Sequence, residues 1–323
     1  MTADAVPPPP GCSVLVTGGA GFIGSHLVDA LLAQGHRVVV LDDLSTGDPG
    51  RVPADARFVK GDIREPGLDA LLLEEKVDTV FHLAAQIDVR RSVEDPVFDA
   101  EVNVLGTIRV GLAAAKAGVA QVVFSSSGGA IYGDPVGEKA DEGHPLHPCS
   151  AYGVAKLAGE KYLAALAADA GWALTVLRYA NVYGPRQDGR GEAGVVGIWM
   201  NRLLSGQDAL VNGDGGQTRD FVHVADVIAA NLSAFSRRVP GVFNVGTGTE
   251  TSVRELYGLV AQACGVDIPP RFGPAKPGEQ RRSVLDPSLG QEILGLQSFV
   301  PLDAGMRATA EWFRLHRAGQ GLG

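Results

Sequence analysis

A short apolar run, Ser13-Val-Leu-Val16, passes directly into Thr17-Gly-Gly-Ala-Gly-Phe-Ile-Gly24. From residue 23 to residue 34 apolar side chains recur at helical spacing, with Ile23, Leu27, Ala30 and Leu31 on one side. Strand, tight turn and helix in immediate succession leave few architectures open. Glycines suit such a turn because an anionic pyrophosphate must rest on bare backbone, where the first helix amides and the dipole attract it. The spacing fits both Gly18-x-x-Gly21-x-x-Gly24 and Gly19-x-Gly21-x-x-Gly24. A lone glycine-rich turn says little, but one that follows a strand and opens a helix is a dinucleotide turn.

The first half keeps this alternation. Strands are expected at 13–16, 37–41, 58–59, 79–82, 121–125 and 174–178, and helices at 23–34, 103–117 and 151–168. Three consecutive valines, Val38 to Val40, suit a strand covered on both faces. The implied fold class is α/β: a Rossmann-type doubly wound parallel sheet. After Asn181 the pattern changes. Residues 183–192 are rich in glycine, proline and charge and read as a loop. Helical spacing returns at 198–205, 226–235 and 252–264, a strand is expected at 242–245, 211–216 is turn chemistry, and 269–277 is irregular. The expected organisation is a flexible tail at 1–10 and a dinucleotide-binding domain at 11–185, to which 220–246 returns. A smaller C-terminal α/β substrate lobe takes 186–219 and 247–323. The cleft between them is the natural substrate site.

The balance of 28 basic and 37 acidic residues, a net charge of -9, argues against nucleic acid as a partner. It leaves room for a phosphorylated ligand held by backbone amides and a few arginines. Cys12, Cys149 and Cys264 are scattered, with no metal-binding spacing, and fit reduced thiols in the cytoplasm. No apolar run is long enough for a bilayer, and the four prolines of the first ten residues do not make a signal peptide.

Two further motifs carry chemistry. Asp42 closes the second strand about where this fold places an acid on the ribose hydroxyls, which favours NAD over NADP because a carboxylate repels a 2′-phosphate. As a bare dipeptide, Asp42-Asp43 would be a solvated turn. Tyr152 and Lys156, in Tyr152-Gly-Val-Ala-Lys156, share one face of an expected helix. An ammonium beside a phenol is expected to lower its pKa from about 10 toward neutrality, making Tyr152 a general base. Tyr-x-x-x-Lys alone is ordinary surface decoration. The triplet Ser125-Ser-Ser127 ending a strand upstream changes the odds, since a hydroxyl there can bond the same substrate oxygen. Either Ser126 or Ser127 can supply it, and Ser127 is the one expected.

The chain resembles the extended short-chain dehydrogenase/reductase family, and within it the NAD-dependent nucleotide-sugar epimerases of the UDP-glucose 4-epimerase type. The resemblance spans nearly the whole chain. It rests on residues 17–24, 61–63, 82–85, Asn103-Val-Leu-Gly-Thr107, the serine triplet, Tyr152 to Lys156, Arg178-Tyr-Ala-Asn181, 213–223 and Asn244-Val-Gly-Thr-Gly248, in that order. It implies NAD as cofactor, with Gly18, Gly21, Phe22, Ile23 and Gly24 at the pyrophosphate. Asp42, Asp43, Leu44 and Ser45 would serve the ribose, and Asp62 and Ile63 would flank the adenine. Leu83, Ala84 and Ala85 would line the dinucleotide, Asn103 would support the site, and Ser125, Tyr152, Lys156 and Tyr179 would lie toward the nicotinamide. Ser127, Tyr152 and Lys156 would be catalytic. Ser127, Asn181, Val195, Val196, Arg219, Lys276 and Glu279 would bind the nucleotide sugar, with no metal.

The activity so implied is epimerisation at C4 of a nucleotide-diphosphate sugar through a 4-keto stage. UDP-glucose and UDP-galactose lead, with UDP-N-acetylhexosamines next, because Ser283 falls where some relatives carry a bulky tyrosine. A UDP-glucuronate 4-epimerase is the alternative. A 4,6-dehydratase or decarboxylase ranks lower, since Gly128-Gly129 stand where dehydratases carry Asp-Glu. A non-catalytic NAD-binding scaffold would tend to lose the tyrosine or lysine, and both are present. The family usually pairs through helices corresponding to 99–117 and 151–168, so a homodimer is expected.

Overall fold

Seven parallel strands make the centre of the molecule, as the alternation requires. The computed structural model describes residues 7–135, 137, 139–189, 194–275 and 280–317. The chain runs β1 (Ser13–Thr17), α1 (Phe22–Ala33), β2 (Arg37–Asp42), β3 (Arg57–Lys60), α2 (Leu68–Glu74) and β4 (Val77–His82). Next come α3 (Val89–Glu94), α4 (Pro96–Ala100), a π-helical turn (Glu101–Gly106), α5 (Thr107–Ala117), β5 (Gln121–Ser127), α6 (Gly128–Ile131), α7 (Ala151–Ala170) and β6 (Ala173–Tyr179). The rest is β7 (Asn181–Tyr183), α8 (Val195–Leu204), β8 (Leu210–Asn212), β9 (Thr218–His223), α9 (Val224–Arg237), β10 (Gly241–Val245), β11 (Glu250–Ser252), α10 (Val253–Cys264), β12 (Arg271–Gly273), β13 (Arg282–Ser283), α11 (Ser288–Leu294) and α12 (Leu302–Arg317).

The large sheet has the order β3-β2-β1-β4-β5-β6-β10, doubly wound about β1 and β4. Alternate residues of β1 serve its two faces. Val14 and Val16 join Leu27 and Leu31 of α1 and Val227 of α9, while Leu15 joins Val110 of α5 and Leu163 of α7. Each fully buried leucine or valine contributes about 1.5–3 kcal/mol over exposure. A third cluster, with Trp199, Met200, Tyr257 and Phe313, is the core of the C-terminal lobe.

The expected strands of the large sheet all form, most of them longer by a residue or more. β7 and β9 pair with each other in a small sheet with β11 and β13, so 181–183 and 220–223 leave the large sheet; α9 and β10 return to it. The expected helix 103–117 begins as a π turn before α5. Residues 211–216 start inside β8, and 269–277 contains β12, which pairs with it. Of the expected tail, 1–6 lies outside the described residues, and Pro9 already accepts the Cys12 amide. No described helix is long and apolar enough to cross a membrane.

Candidate active site

The site lies at the C-terminal edge of the large sheet, where a doubly wound fold opens its crevice. Gly18 has φ +70°, and a Cβ there would meet the Ala84 amide nitrogen at 2.8 Å. A Cβ on Gly24 would press into the Gly18 carbonyl, so helix and turn close up only with glycine. α1 starts at Phe22 with no capping side chain and no acid in its first turn. Its first amides and dipole are therefore open to an anion, and the cradle suits a pyrophosphate.

Asp42 is buried and accepts the Ala20 and Leu44 amides, each at 2.9 Å. It thus holds the glycine turn against the exit of β2, and burial pushes its carboxyl up. Leu44 takes φ 63°, a left-handed conformation rare outside glycine. The exposed Asp43 accepts the amide and hydroxyl of Ser45 at 2.8 and 2.7 Å. Asp62 is gripped by Arg64, whose guanidinium holds the carboxyl below its ordinary range. Ile63 is buried against Gly106 of the π turn.

Behind this edge runs a directed chain of hydrogen bonds. Thr17 Oγ1 accepts the Leu83 and Ala84 amides at 3.2 Å, which leaves its proton for His82 Nδ1 at 2.8 Å. His82 Nε2 then donates to Thr107 Oγ1 at 3.0 Å, which donates to the Asn103 carbonyl at 2.8 Å. Burial keeps His82 neutral, with its pKa pushed down to about 3. Leu83, Ala84 and Ala85 are part-exposed on the site side of this chain. Asn103 binds both backbone groups of Gln86, and its amide also donates to Asp99.

Tyr152 and Lys156 project from α7, whose first turn is capped by Ser150 and by Ser92 Oγ, which accepts the Tyr152 amide. The Ser127 hydroxyl faces the Tyr152 phenol and favours its ionisation. Ser126 is committed elsewhere: it donates to Glu160 at 2.6 Å, and Glu160 is clamped by Arg178 through both oxygens. Ser125 Oγ meets the Tyr179 hydroxyl at 3.0 Å, and Asn231 donates to that hydroxyl at 2.8 Å. Tyr179 is thereby buried and tied through its hydroxyl to both β5 and α9.

One expectation is reversed. Burial, and then Asp99, push the Tyr152 phenol above its ordinary value, with only Ser127 opposing. Lys156 does not lower it. The lysine Nζ donates to the Ser125 carbonyl at 3.0 Å and lies 5.9 Å from the Tyr152 ring centre. Burial pushes Lys156 itself down to about 8, against Asp99 and Glu160. Desolvation is the largest influence on both groups.

On the substrate side, a Cβ at Gly129 would lie 3.7 Å from both Asn181 Oδ1 and Ser283 Oγ, so these three converge. Val196 is packed in the lobe core with Val195 against it, and the amides that open α8 have no capping side chain from Gly194. Arg219 donates to the Thr218 and Gln280 carbonyls at 2.8 and 2.7 Å, which ties β9 to Gln280. Lys276 and Glu279 lie outside the described residues. Among the described residues no three His, Cys, Asp or Glu side chains gather as for a metal. Sequence reasoning missed Asp99 and Glu160, although each stands four positions from a recognised residue, Asn103 and Lys156.

The model of the NAD dependent epimerase/dehydratase family matches residues 14–246. The chain is 49% identical to the UDP-glucose 4-epimerase of Mycolicibacterium smegmatis over 306 residues, covering 93% of this chain and 98% of that one. Among solved structures it resembles the UDP-glucose 4-epimerase of Thermotoga maritima with UDP-glucose, at 43% identity and TM-score 0.91 over 94% of this chain and 99% of that one. It also resembles the UDP-glucose 4-epimerase of Thermus thermophilus in complex with NAD, at 44% identity and TM-score 0.89 over the same shares.

Proposed function

The chain belongs to the NAD-dependent epimerase/dehydratase family, and from that premise we propose that it inverts C4 of a UDP-hexose, UDP-glucose and UDP-galactose first. The observation that carries this reading is the Tyr152 phenol facing the Ser127 hydroxyl, with Lys156 on the same helix face. Gly18, Gly21, Phe22, Ile23 and Gly24 hold the NAD pyrophosphate; Asp42 to Ser45 serve its ribose, and Asp62 and Ile63 its adenine. When bound, oxidised NAD supplies reversible hydride chemistry and a positive charge that favours the phenolate. Tyr152 takes the proton from the 4-hydroxyl and later returns it. Ser127 bonds the same oxygen throughout. Lys156, charged at neutral pH, stabilises negative charge on that oxygen. Asn181 and the α8 amides hold the diphosphate while the 4-keto sugar turns and is reduced on its other face.

The small Ser283 beside Gly129 and Asn181 leaves room for an N-acetyl group, so UDP-N-acetylhexosamines are a second substrate class. We place the enzyme in the cytoplasm, consistent with its three free thiols. It works as a homodimer through α5 and α7, where Leu112, Val154 and Tyr162 are about half exposed.

The test is incubation of the purified protein with UDP-glucose, UDP-N-acetylglucosamine and UDP-glucuronate, read by NMR for an axial C4 hydroxyl. Tyr152→Phe should lose about 10²–10⁴-fold in turnover yet retain its NAD. Formation of a 4-keto-6-deoxy sugar would assign the chain to the dehydratases instead.

A further inference from the structure

Asp99 on α4 is a buried carboxylate, 1% exposed, with no cation hydrogen-bonded to it among the described residues. Its Oδ1 accepts Gln86 Nε2 and Asn103 Nδ2, both at 2.9 Å. Those two side chains lock the backbone just beyond Leu83–Ala85: Asn103 takes the Gln86 amide and carbonyl, and Gln86 Nε2 also reaches the Asp88 carbonyl at 2.9 Å. α4 packs on α7, the helix that carries Tyr152 and Lys156.

Charge pairing singles out Asp99. The buried groups around Lys156 are Asp99 from α4, Glu160 from α7 and neutral His82 from β4. Glu160 is already matched by Arg178 of β6, bonded at 2.9 and 2.6 Å. Tyr152 faces Asp99 and Ser127. Arg90, Arg91 and Glu94 on α3 and Glu101 on the π turn are at the surface. One buried ammonium and one buried carboxylate are left to balance each other.

We propose that Asp99 is a positioning residue for the reaction: it is the counter-charge of the Lys156 ammonium and, through Gln86 and Asn103, it fixes the segment that leaves β4. The inference deepens the epimerase reading and rests on it. Acting through Lys156, Asp99 keeps the lysine charged in a site whose burial works against that charge, and it also opposes ionisation of Tyr152. Removing the carboxylate therefore moves both limbs of the pH profile the same way, to lower pH.

Asp99→Asn keeps an acceptor for Gln86 and Asn103 and removes only the charge. The holoenzyme should show its kcat profile displaced toward acid, so that the ratio of kcat near pH 9 to kcat near pH 7 falls roughly tenfold against the parent. Normalised profiles that superimpose would overturn the proposal, whatever the change in amplitude. A second readout is independent of turnover: thermal unfolding of the parent, Asp99→Asn, Lys156→Met and the double variant. The double variant should be more stable than the sum of the singles predicts, because each single leaves a buried charge unmatched. An Asp99→Asn chain that folds only when Lys156→Met is added shows the same coupling; strictly additive effects would overturn it. A parent that epimerises nothing would remove the functional reading, and the unfolding cycle would then decide the pairing of Asp99 with Lys156 by itself.

Discussion

Ser125 and Ser126 are neighbours in sequence but bond on opposite sides of the large sheet. Ser125 reaches Tyr179 and, beyond it, Asn231 of α9, whereas Ser126 reaches Glu160 of α7. Ser127, at the strand end, is left for Tyr152. This division makes a prediction. Ser127→Ala should lower kcat about 10–100-fold and leave the melting temperature nearly unchanged. Ser126→Ala should cost about 1–2 kcal/mol of stability, since Glu160 loses a buried donor, with kcat within a few-fold of the parent. Steady-state kinetics beside thermal melts would read both; the reverse pattern would move the catalytic role to Ser126. The triplet is legible in the sequence, but the choice within it is not, because it depends on Glu160 being packed beneath the strand. The Tyr152 shift escapes the sequence for a similar reason. Helical spacing gives the proximity of a lysine, and it says nothing of how much water both groups lose.

At the scale of elements, the π turn at Glu101–Gly106 matters most. It carries Asn103, and its extra residue per turn sets that side chain against Gln86 while Gly106 meets Ile63. A Cβ at Gly106 would approach Ile63 Cδ1 to 2.6 Å. Gly106→Val should therefore cost about 1–3 kcal/mol by overpacking and displace Ile63, one of the residues assigned to the adenine. The expected result is a lower melting temperature and less NAD released on denaturation; unchanged NAD content would argue that Ile63 does not touch the cofactor. Apolar periodicity cannot distinguish a π turn from an α-helix over six residues, so the sequence predicts one unbroken helix there. The strands of the small sheet, two to six residues long, are too short for a period to emerge. The helix Leu302–Arg317 is a different case: it is absent from the elements expected from the sequence, although Met306, Ala310 and Phe313 lie at helical spacing and are all buried.

For the whole molecule, the wound sheet and its C-terminal crevice follow from strand–helix alternation and one glycine turn, both legible in the sequence. The exchange of strands between sheet and lobe is not, because β7 and β9 pair only with each other and with their neighbours in the fold. Association is testable at this scale. Leu105, Leu112, Val154 and Tyr162 are about half exposed on one set of helices, so the 33.6 kDa chain should run at twice its mass by light scattering, and Leu112→Glu should halve it. Stability against pH is set by groups from both parts. His82 in the large sheet and His223 at the start of α9 are pushed down to about 3 and about 4, each chiefly by burial. The unfolded chain protonates such histidines near 6.5, and the folded chain does not. Stability should thus be full above about pH 7 and fall as pH drops below 6.5, by up to about 1.4 kcal/mol per pH unit for each histidine. Asp42, Asp99, Glu142 and Asp226, all raised by burial, work in the opposite sense at lower pH, so the histidine slope is cleanest between about pH 6.5 and 5. Urea unfolding across that interval should show the decline, and His82→Gln, which keeps polar contact with the Thr17 and Thr107 hydroxyls, should make it shallower. A curve that stays level from pH 7 to 5 would mean that both rings take up protons in the native state.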